Sequence, residues 1–515
     1  MALSAPSSTL RKDSGMSYGL SIETPAASYD AVIIGSGLGG STMALRLAQA
    51  GRRVLVVERG DWYRFKPSAT ENDYLYDILG PADDISYVGG RTKFYGAALY
   101  RNRESDFREV QFETGVSPAW PFGYDELEPY YAEAEKLYRV HGSPDGDPSE
   151  PRRAARYPYP PLPHDPVVAK VIQKLNASGT PAAPIPRGLD QGPGGACVMC
   201  ASCDVHACRF DAKMDAETAA LRPALATGLV DLMTLTECQR VLLTPDGKRT
   251  EGVLLTRNGQ QHRVLAETVI VAAGTPHTAA LLRRSRTDQH RQGVGNNTGQ
   301  LGKRVGAHST GTMFPMISLG RLGARHTKTF GLNLWYDGAA DWPHPLGVAQ
   351  IAGQVPLWRM AGKLKQPIVK EIAEHSLTVI HMTEALPDEG TGWTFDGDRI
   401  GAFTSPRHQA KTYQKMRDLT AKAFEKAGYP VIRAPRPVAF WHETGSAVMG
   451  VDEKVSVVDP QGAVHGVAGL YVADASVLPT AGALNTGLTI IAVAMRTGDA
   501  ILDKLGARVH AAAAI

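Results

Sequence analysis

The fold of this chain is decided by residues 29–60, which read YDAVIIGSGLGGSTMALRLAQAGRRVLVVERG. The stretch begins with an apolar strand, continues through a Gly-rich turn into a helix with apolar residues at helical spacing, and ends with a second apolar strand. Gly35 permits the tight turn, Gly37 lets the backbone approach a pyrophosphate, and Gly40 lets the helix pack closely on the sheet. This order of elements predicts the first βαβ unit of a dinucleotide-binding domain.

The groups around this turn favour a bound dinucleotide over a Gly-rich turn that binds nothing. The helix N-terminus presents free N–H groups and the positive end of the helix dipole to phosphates. Glu58 follows the second strand, where a carboxylate accepts hydrogen bonds from an adenosine ribose, which argues against a 2′-phosphate. Because the strand, helix, second strand and acid stand in register, the pattern is stronger than an isolated GxGxxG.

Length and composition are those of an ordinary globular protein. The chain has 515 residues, of which 43% are hydrophobic and 21% charged, and its net charge of +3 gives no case for a nucleic-acid partner. No apolar run approaches the length of a membrane span. Residues 1–27, rich in Ser, Ala, Thr and Pro, are predicted to be a disordered tail rather than a signal peptide. The five cysteines do not look like a secreted disulfide framework, so a cytoplasmic enzyme is expected.

The rest of the chain alternates between two kinds of segment. Apolar strands followed by helices recur in the middle and near the C-terminus, whereas short alternating strands dominate residues 310–400. We therefore predict an α/β protein (α+β overall), in which a doubly wound Rossmann-type dinucleotide-binding domain carries an inserted antiparallel-sheet substrate domain. The predicted first domain comprises residues 28–118, 195–309 and 431–515, and the predicted second domain comprises residues 119–194 and 310–430. In the second domain, Asp125 is expected to cap a helix that runs to about His141.

Five segments, taken in order, carry a specific resemblance to a known family. They are residues 29–60, 89–101, 119–131, 269–282 and 440–502, and the last contains HETGSAVMG from His442 and ALNTGLTI from Ala483. Together they resemble the glucose–methanol–choline (GMC) oxidoreductase family over nearly the whole chain. Residues 197–222 and the segment Lys93-Phe94-Tyr95-Gly96 are similar to its bacterial pyranose-oxidase-like branch, which includes glycoside 3-oxidases.

This resemblance implies an FAD cofactor and a site for it. It implies that the Gly35 turn lies on the pyrophosphate, that Gly90 and its neighbours run along the isoalloxazine, and that Asp474 reaches the ribityl chain. The expected FAD contacts are Gly35, Gly37, Leu38, Gly40, Glu58, Arg59, Gly90, Thr92, Tyr95, Gly96, Ala273, Asp474, Ala475, Asn485 and Thr486. A His–His or His–Asn pair facing the flavin is also implied, and the matching positions are His442 and Asn485.

The chemistry of alcohol oxidation supports this pair. The reaction removes a proton from the hydroxyl and transfers a hydride from the same carbon. A histidine is well tuned to accept the proton near neutral pH, which fits His442 as the base. Asn485 orients the hydroxyl without competing as a base, and the flavin accepts the hydride.

Two departures from the family pattern affect the expectations. The family usually has Pro after its second catalytic residue, whereas Thr486 follows Asn485 here and supplies both backbone freedom and an N–H donor. The position at Thr92-Lys93 has no His, so the covalent histidyl–flavin link of fungal pyranose oxidases is not available there. We therefore expect non-covalent FAD.

Four cysteines, Cys197, Cys200, Cys203 and Cys208, have C-x2-C-x2-C-x4-C spacing. Such spacing suits zinc or an iron–sulfur cluster, and His206 inside the loop keeps a metal open. The alternative is reduced thiols or one local disulfide in a compact loop. We predict that no metal is tightly bound.

The sequence therefore favours FAD-dependent oxidation of a hydroxyl on a sugar, glycoside or related alcohol. The second candidate is oxidation of a primary alcohol, such as an amino-sugar hydroxyl in antibiotic biosynthesis, an aliphatic alcohol or a sterol. A nicotinamide dehydrogenase and a binding module with structural FAD are alternatives from other classes. The substrate, the oxidised carbon and the electron acceptor, oxygen or another molecule, stay open at this stage.

Overall fold

The structure, a computed structural model, describes residues 20–64, 86–317, 326–353, 365–434 and 439–506. Residues 1–19 of the predicted tail lie outside these ranges. Residues 20–27 lie along the first sheet, where the backbone N–H of Ile22 donates to the carbonyl oxygen of Leu232 at 2.8 Å. This part of the predicted tail is therefore ordered.

Helices and short strands alternate along the described ranges. The helices are α1 (Leu38–Gln49), α2 (Tyr124–Leu137), α3 (Pro166–Ala177), α4 (Arg222–Ala226), α5 (Thr275–Arg284), α6 (Gln366–Glu374), α7 (Ala410–Lys426) and α8 (Gly487–Lys504). The strands up to the middle of the chain are β1 (Ala31–Ile34), β2 (Val54–Val57), β3 (Val110–Gln111), β4 (Val116–Ser117), β5 (Val140–His141), β6 (Ala183–Pro184), β7 (Arg187–Gly188), β8 (Val230–Met233), β9 (Thr236–Leu243), β10 (Thr250–Arg257), β11 (Gln260–Leu265) and β12 (Thr268–Val271). The remaining strands are β13 (Gly306–Pro315), β14 (Phe330–Leu332), β15 (Val348–Ile351), β16 (Val379–Ala385), β17 (Gly392–Asp396), β18 (Arg399–Thr404), β19 (Val431–Arg433), β20 (Ala439–Thr444) and β21 (Leu470–Val472).

The first sheet is parallel and has the strand order β21-β12-β1-β2-β8. All residues of β1 and β2 are buried, as expected for central strands of a parallel sheet covered on both faces. The sheet draws its strands from the N-terminal, middle and C-terminal parts of the chain. This confirms the Rossmann-type fold predicted from residues 29–60.

Close backbone contacts hold α1 against this sheet. A Cβ at Gly40 would overlap the carbonyl oxygen of Gly35, and a Cβ at Gly39 would overlap the carbonyl oxygen of Ala473. The Gly39 contact joins the first helix to the segment that follows β21. Sequence reasoning assigned the packing function to Gly40 alone.

The second sheet is built mainly from antiparallel strands, in the order β19-β13-β16-β15-β14-β6, and β20 also pairs with β13. The long strand β13 is therefore its central connection. Because β20 belongs to the C-terminal part of the chain, this pairing links the second sheet to the segments that build the first one. The inserted antiparallel sheet predicted from residues 310–430 is present.

The helix near Asp125 differs from the sequence expectation. It is capped by Gly123 and ends at Leu137, and His141 lies in the short strand β5. Asp125 lies in the first turn, where a carboxylate favours the helix dipole without capping it. The helix α2 packs on α8 in the larger core, so residues 124–137 associate with the dinucleotide side. The division into two domains stays a prediction.

We predict that Gly39→Ala destabilises the folded chain by about 4 kcal/mol or more, because a methyl group cannot be placed against the Ala473 carbonyl without moving the backbone. Gly37→Ala is the matched control, since a Cβ there meets no atom within 4 Å. It should change the stability of the cofactor-free protein by about 1 kcal/mol or less. Thermal unfolding of both cofactor-free variants tests this, and equal melting temperatures would contradict it.

Candidate active site

The strand that carries His442 contains a bulge. In the pairing of β20 with β13, the register shifts by one residue between Gly306 and His308. His442 lies in this irregular part and adopts a left-handed backbone conformation with φ of +60°, which is uncommon for a residue other than glycine. The Nδ1 atoms of His442 and His308 lie 3.0 Å apart. The bulge thus directs the His442 side chain onto a second histidine that sequence reasoning did not identify.

Hydrogen bonds determine which nitrogen of each ring carries a proton. His308 Nε2 lies 3.2 Å from the carbonyl oxygen of Ala481, which can only accept, so Nε2 donates. In the neutral ring His308 Nδ1 is then an acceptor, and the hydrogen between the two rings belongs to His442 Nδ1. His442 Nε2 is left with a free lone pair. This is the form of histidine that acts as a general base.

Burial keeps both rings neutral, and neighbouring cations contribute at His442. Burial lowers the pKa of His308 to about 4. Burial also lowers the pKa of His442 well below 6.5, and His308, Lys328 and Arg91 lower it further. Lys328 is buried and forms an ion pair of 3.3 Å with Asp204, whereas Arg91 is exposed. Proton acceptance by His442 is therefore available over the neutral pH range.

Asn485 lies in the loop before α8, and hydrogen bonds tie this loop to strands of the second sheet. Ala481 accepts the hydrogen bond from His308 on β13. Gln350 on β15 donates from Nε2 to Oδ1 of Asn485 at 2.9 Å. Thr486, which stands where the family usually has Pro, is the N-cap residue of α8. Strand β13 therefore contacts His442, and strand β15 contacts Asn485.

Two buried carboxyl groups support the same loop. Glu384 on β16 accepts hydrogen bonds from Ser117 Oγ at 2.9 Å and from the backbone of Gly482. Burial and the nearby Asp106 raise the pKa of Glu384 to about 8. Burial raises the pKa of Asp106 to about 6, although hydrogen bonds from Tyr336 and the Arg103 backbone oppose this. Glu384 is therefore protonated at pH 7.

Glycine backbone lines an open space at the start of α1. Gly37 is the N-cap of α1, and a Cβ there would meet no atom within 4 Å. The same is true of Gly274, the N-cap of α5, whose φ is +85°. Gly90 has a φ of +60°, and a Cβ there would lie 3.3 Å from Cα of Gly37. Open backbone at helix N-termini suits phosphate groups, so the turns at Gly37 and Gly274 fit the pyrophosphate of a dinucleotide.

Glu58 is held by the Gly-rich turn. Its Oε2 accepts from the backbone N–H and the hydroxyl of Ser36, at 3.1 and 2.6 Å, and its Oε1 accepts from the backbone of Gly60 at 2.8 Å. The Ser36 hydroxyl in turn accepts from the backbone of Gly89 at 3.1 Å. Each carboxylate oxygen can accept more than one hydrogen bond, which keeps a ribose contact available.

The carboxylate of Asp474 accepts hydrogen bonds from other groups of the protein. It accepts from the backbone of Gly274 at 2.8 Å, from Thr278 Oγ1 at 2.6 Å, and from the backbone and hydroxyl of Ser476. Asp474 therefore joins the N-terminus of α5 to the segment after β21. Its expected contact with the ribityl chain stays a prediction.

Several other residues of the expected FAD set also make polar contacts with the protein. The contacts are hydrogen bonds from Thr92 to Gly89, from Tyr95 to Met214, from Arg59 to Ser86, from Ala273 to Thr278, and from Gly445 to Ala475. Gly96 packs against Asp204, and Leu38 belongs to the buried face of α1. Their roles at the cofactor stay predictions.

The cysteines of the C-x2-C-x2-C-x4-C segment are free thiols and partly buried. Lys213, which is fully buried, donates to four carbonyl oxygens, those of Lys93, Tyr95, Cys203 and His206. It thereby joins this segment to residues 93–95. Within the described ranges, no three His, Cys, Asp or Glu side chains are arranged to hold a metal ion. The expected absence of a bound metal stays a prediction.

A dinucleotide turn joined to a neutral base histidine indicates a cofactor-dependent oxidoreductase. Comparison with family models defines it further. Residues 82–303 match the N-terminal model of GMC oxidoreductase, residues 391–494 match its C-terminal model, and residues 30–66 match an FAD-binding domain. The chain belongs to the GMC oxidoreductase family. It is an FAD-dependent enzyme that oxidises CH–OH groups.

Relatives agree with this assignment over nearly the whole chain. Paromamine 6'-oxidase of Streptomyces fradiae is 29% identical, and the match covers 93% of this chain and 92% of the relative. The large subunit of fructose dehydrogenase of Gluconobacter japonicus is 26% identical over 93% of this chain and 98% of the relative. The crystal structure of pyridoxine 4-oxidase from Mesorbium loti has the same fold, with a TM-score of 0.64 at 17% identity, covering 92% of this chain and 98% of that one.

Within the described ranges, no helix is both long enough and apolar enough to cross a membrane.

We predict that stability falls as the pH rises from about 4.5 to 8, in part because of Glu384. The folded protein keeps the Glu384 proton up to about pH 8, whereas the unfolded chain loses it near 4.5, so the folded state binds more protons in this window. Glu384→Gln mimics the protonated form and should flatten this fall. The melting temperature of the variant minus that of the unaltered chain should be about 1–3 °C larger at pH 8 than at pH 5. Glu389→Gln, at an exposed glutamate, is the control. Identical pH slopes for the Glu384 variant and the unaltered chain would contradict the prediction.

Proposed function

We propose that the protein oxidises a hydroxyl group of a sugar, a glycoside or a related alcohol to the carbonyl. The observation that carries this proposal is the hydrogen bond between His308 and His442, which leaves His442 Nε2 unprotonated. A neutral base with a fixed free nitrogen is the group that alcohol oxidation requires of the protein. Asn485 stands on the adjacent loop, where an amide orients a hydroxyl.

In the proposed reaction, the protein moves the proton and the cofactor takes the hydride. When bound, FAD supplies the acceptor for the hydride that leaves the carbon. His442 Nε2 takes the proton as the O–H bond breaks, and the electron pair of that bond becomes the second bond of the carbonyl. Asn485 holds the hydroxyl oxygen so that its proton faces His442. His308 keeps the hydrogen of His442 on Nδ1 and so prevents the ring from presenting an N–H to the substrate.

The expected FAD contacts around Gly35, Gly37, Gly40 and Glu58 are proposed as the adenosine and pyrophosphate site. The open backbone at Gly37 supports this. The segment of Gly90, Thr92, Tyr95 and Gly96 is proposed to lie along the isoalloxazine. With no histidine at 92–93, we propose that FAD is not covalently bound.

We propose a neutral sugar or glycoside as the leading substrate class, supported by the similarity to the large subunit of fructose dehydrogenase. Lys328 and Arg91 lower the pKa of His442, but Lys328 is paired with Asp204 at 3.3 Å and Arg91 with Glu443 at 3.7 Å. These cations therefore do not select between neutral and amino sugars. Oxidation of a primary hydroxyl on an amino sugar is the second candidate, favoured by the similarity to paromamine 6'-oxidase.

We also propose that the enzyme is cytoplasmic, and that its reduced flavin is reoxidised by oxygen or by another electron acceptor. Nucleic acid and membrane are not proposed as partners, because the small net charge supports neither.

Purified protein should be yellow, and a substrate alcohol should bleach it under anaerobic conditions. Faster bleaching by neutral glycosides than by aminoglycosides is expected for the leading substrate class, and the reverse order would favour the second. Stopped-flow absorbance with a panel of glycosides, aminoglycosides and simple alcohols tests this. Acid precipitation should release the yellow colour into the supernatant. A protein that no alcohol bleaches would contradict the proposed function, and colour retained in the pellet would contradict non-covalent FAD.

His442→Ala should slow flavin reduction by about 10²- to 10⁴-fold while FAD stays bound, because general base catalysis contributes in this range. Asn485→Ala should cost less, since the proton acceptor remains. The rate constant of anaerobic flavin reduction is the measurement.

His344→Ala, at a half-buried histidine whose Nδ1 donates to the carbonyl oxygen of Gln111, is the matched control and should leave this rate unchanged. His308→Gln keeps an acceptor for His442 Nδ1–H and should retain more activity than His308→Leu. A near-normal rate in His442→Ala would place the base elsewhere.

A further inference from the structure

Gln350 makes a polar contact that the function described so far does not use. It lies on β15 and is only 1% exposed. Its Nε2 donates to Asn485 Oδ1 at 2.9 Å, whereas its Oε1 is buried and has no partner among the described residues. Within the same part of the chain, no residue accepts a hydrogen bond from Asn485 Nδ2.

The direction of this hydrogen bond follows from the polar atoms that remain. In the reverse arrangement, Asn485 Nδ2 would donate to Gln350, and the buried NH₂ of Gln350 would lose its acceptor. An unpaired buried N–H is rarer than an under-used carbonyl oxygen, which has two lone pairs. The arrangement with Gln350 as donor is therefore favoured. It occupies the carbonyl end of the Asn485 amide and leaves the NH₂ end available.

We propose that Gln350 is a positioning residue that fixes the orientation of the Asn485 amide, so that Asn485 presents its NH₂ group to the substrate hydroxyl oxygen. This inference rests on the proposed function. As the O–H proton passes to His442 Nε2, the electron pair of the broken bond stays on the oxygen until the hydride leaves. A donor aimed at that oxygen stabilises the charge, whereas a carbonyl oxygen in its place repels it.

Gln350→Glu gives a test that depends on pH. A protonated carboxyl group has one O–H donor and keeps the bond to Asn485 Oδ1, but an ionised carboxylate only accepts and turns the Asn485 amide round. Burial should raise the pKa of the new carboxyl group into the range where activity is measured. At low pH, we expect the rate constant of flavin reduction in this variant to lie within about 3-fold of that of the unaltered enzyme. Once the carboxylate forms, we expect this rate constant to fall by about 10²-fold. If the ratio of the Gln350→Glu rate constant to that of the unaltered enzyme stayed constant over pH 5–9, the proposal would be overturned.

A double-mutant cycle separates an effect through Asn485 from a direct one. Gln350→Met removes the donor with little change of volume and should lower the reduction rate constant by about 10-fold, with a smaller change in substrate Kd. In the Asn485→Ala background the same substitution should change the rate constant by less than about 2-fold, because the group it orients is gone. Equal losses in both backgrounds would show that Gln350 acts on its own and would overturn the proposal.

Gln409 provides the matched control. It is a fully buried glutamine that donates to Thr114 Oγ1 at 2.6 Å, at the start of α7. Gln409→Glu should show no pH-dependent loss of the reduction rate constant in the folded protein. A pH-dependent loss in this variant too would overturn the assignment to Gln350. If an alcohol bleaches the unaltered enzyme but the double-mutant cycle is additive, only this inference is wrong. If no alcohol bleaches the unaltered enzyme, the proposed function itself is wrong.

Discussion

The close approach of α1 to the backbone after β21 is the constraint on which the rest of the structure depends. A residue with a side chain cannot stand at Gly39, because its Cβ would overlap the carbonyl oxygen of Ala473. This contact joins residues more than 430 positions apart, and it brings Asp474 next to the N-terminus of α5. The hydrogen bonds of Asp474 to Gly274 and Ser476 then fix both turns around the same space. The backbone contact at Gly39 and the hydrogen bonds of the Asp474 carboxylate thus close the dinucleotide side of the protein.

The first sheet could be predicted because its signals are local. In residues 29–60, strand, turn, helix and second strand follow each other, and the glycine positions specify the turn before any tertiary contact forms. The inserted sheet was predictable only as a type, from the alternation of residues in 310–400. His308 and Gln350 were missed for a physical reason. Each is one polar residue in a strand, and no local pattern encodes the strand pairing that places it. His308 depends in addition on the bulge between β13 and β20. The family resemblance pointed to His442 and Asn485 but not to the residues that orient them.

Burial shifts the pKa of histidines and of a carboxyl group in opposite directions around the loop before α8. It lowers the pKa of His308 and His442, so the bases stay unprotonated, and it raises the pKa of Glu384, so the acid stays protonated. Each group is therefore uncharged at pH 7, and hydrogen bonds rather than ion pairs determine their orientation. Directional bonds between neutral groups specify which nitrogen carries a proton, which a pair of charges does not. Lys328, held by Asp204, is a buried charge that lowers the pKa of His442 further.

The position of β20 has a mechanical consequence. His442 is carried by a strand that pairs with β13 of the second sheet, whereas Asn485 stands at the start of α8, whose apolar face belongs to the larger core. Hydrogen bonds described above join these supports, among them those from His308 to Ala481, from Gln350 to Asn485 and from Gly482 to Glu384. A small sliding of one core against the other would separate base and amide while each core stayed intact. Catalysis in this architecture is therefore a more sensitive measure of how the two cores are aligned than any signal of unfolding.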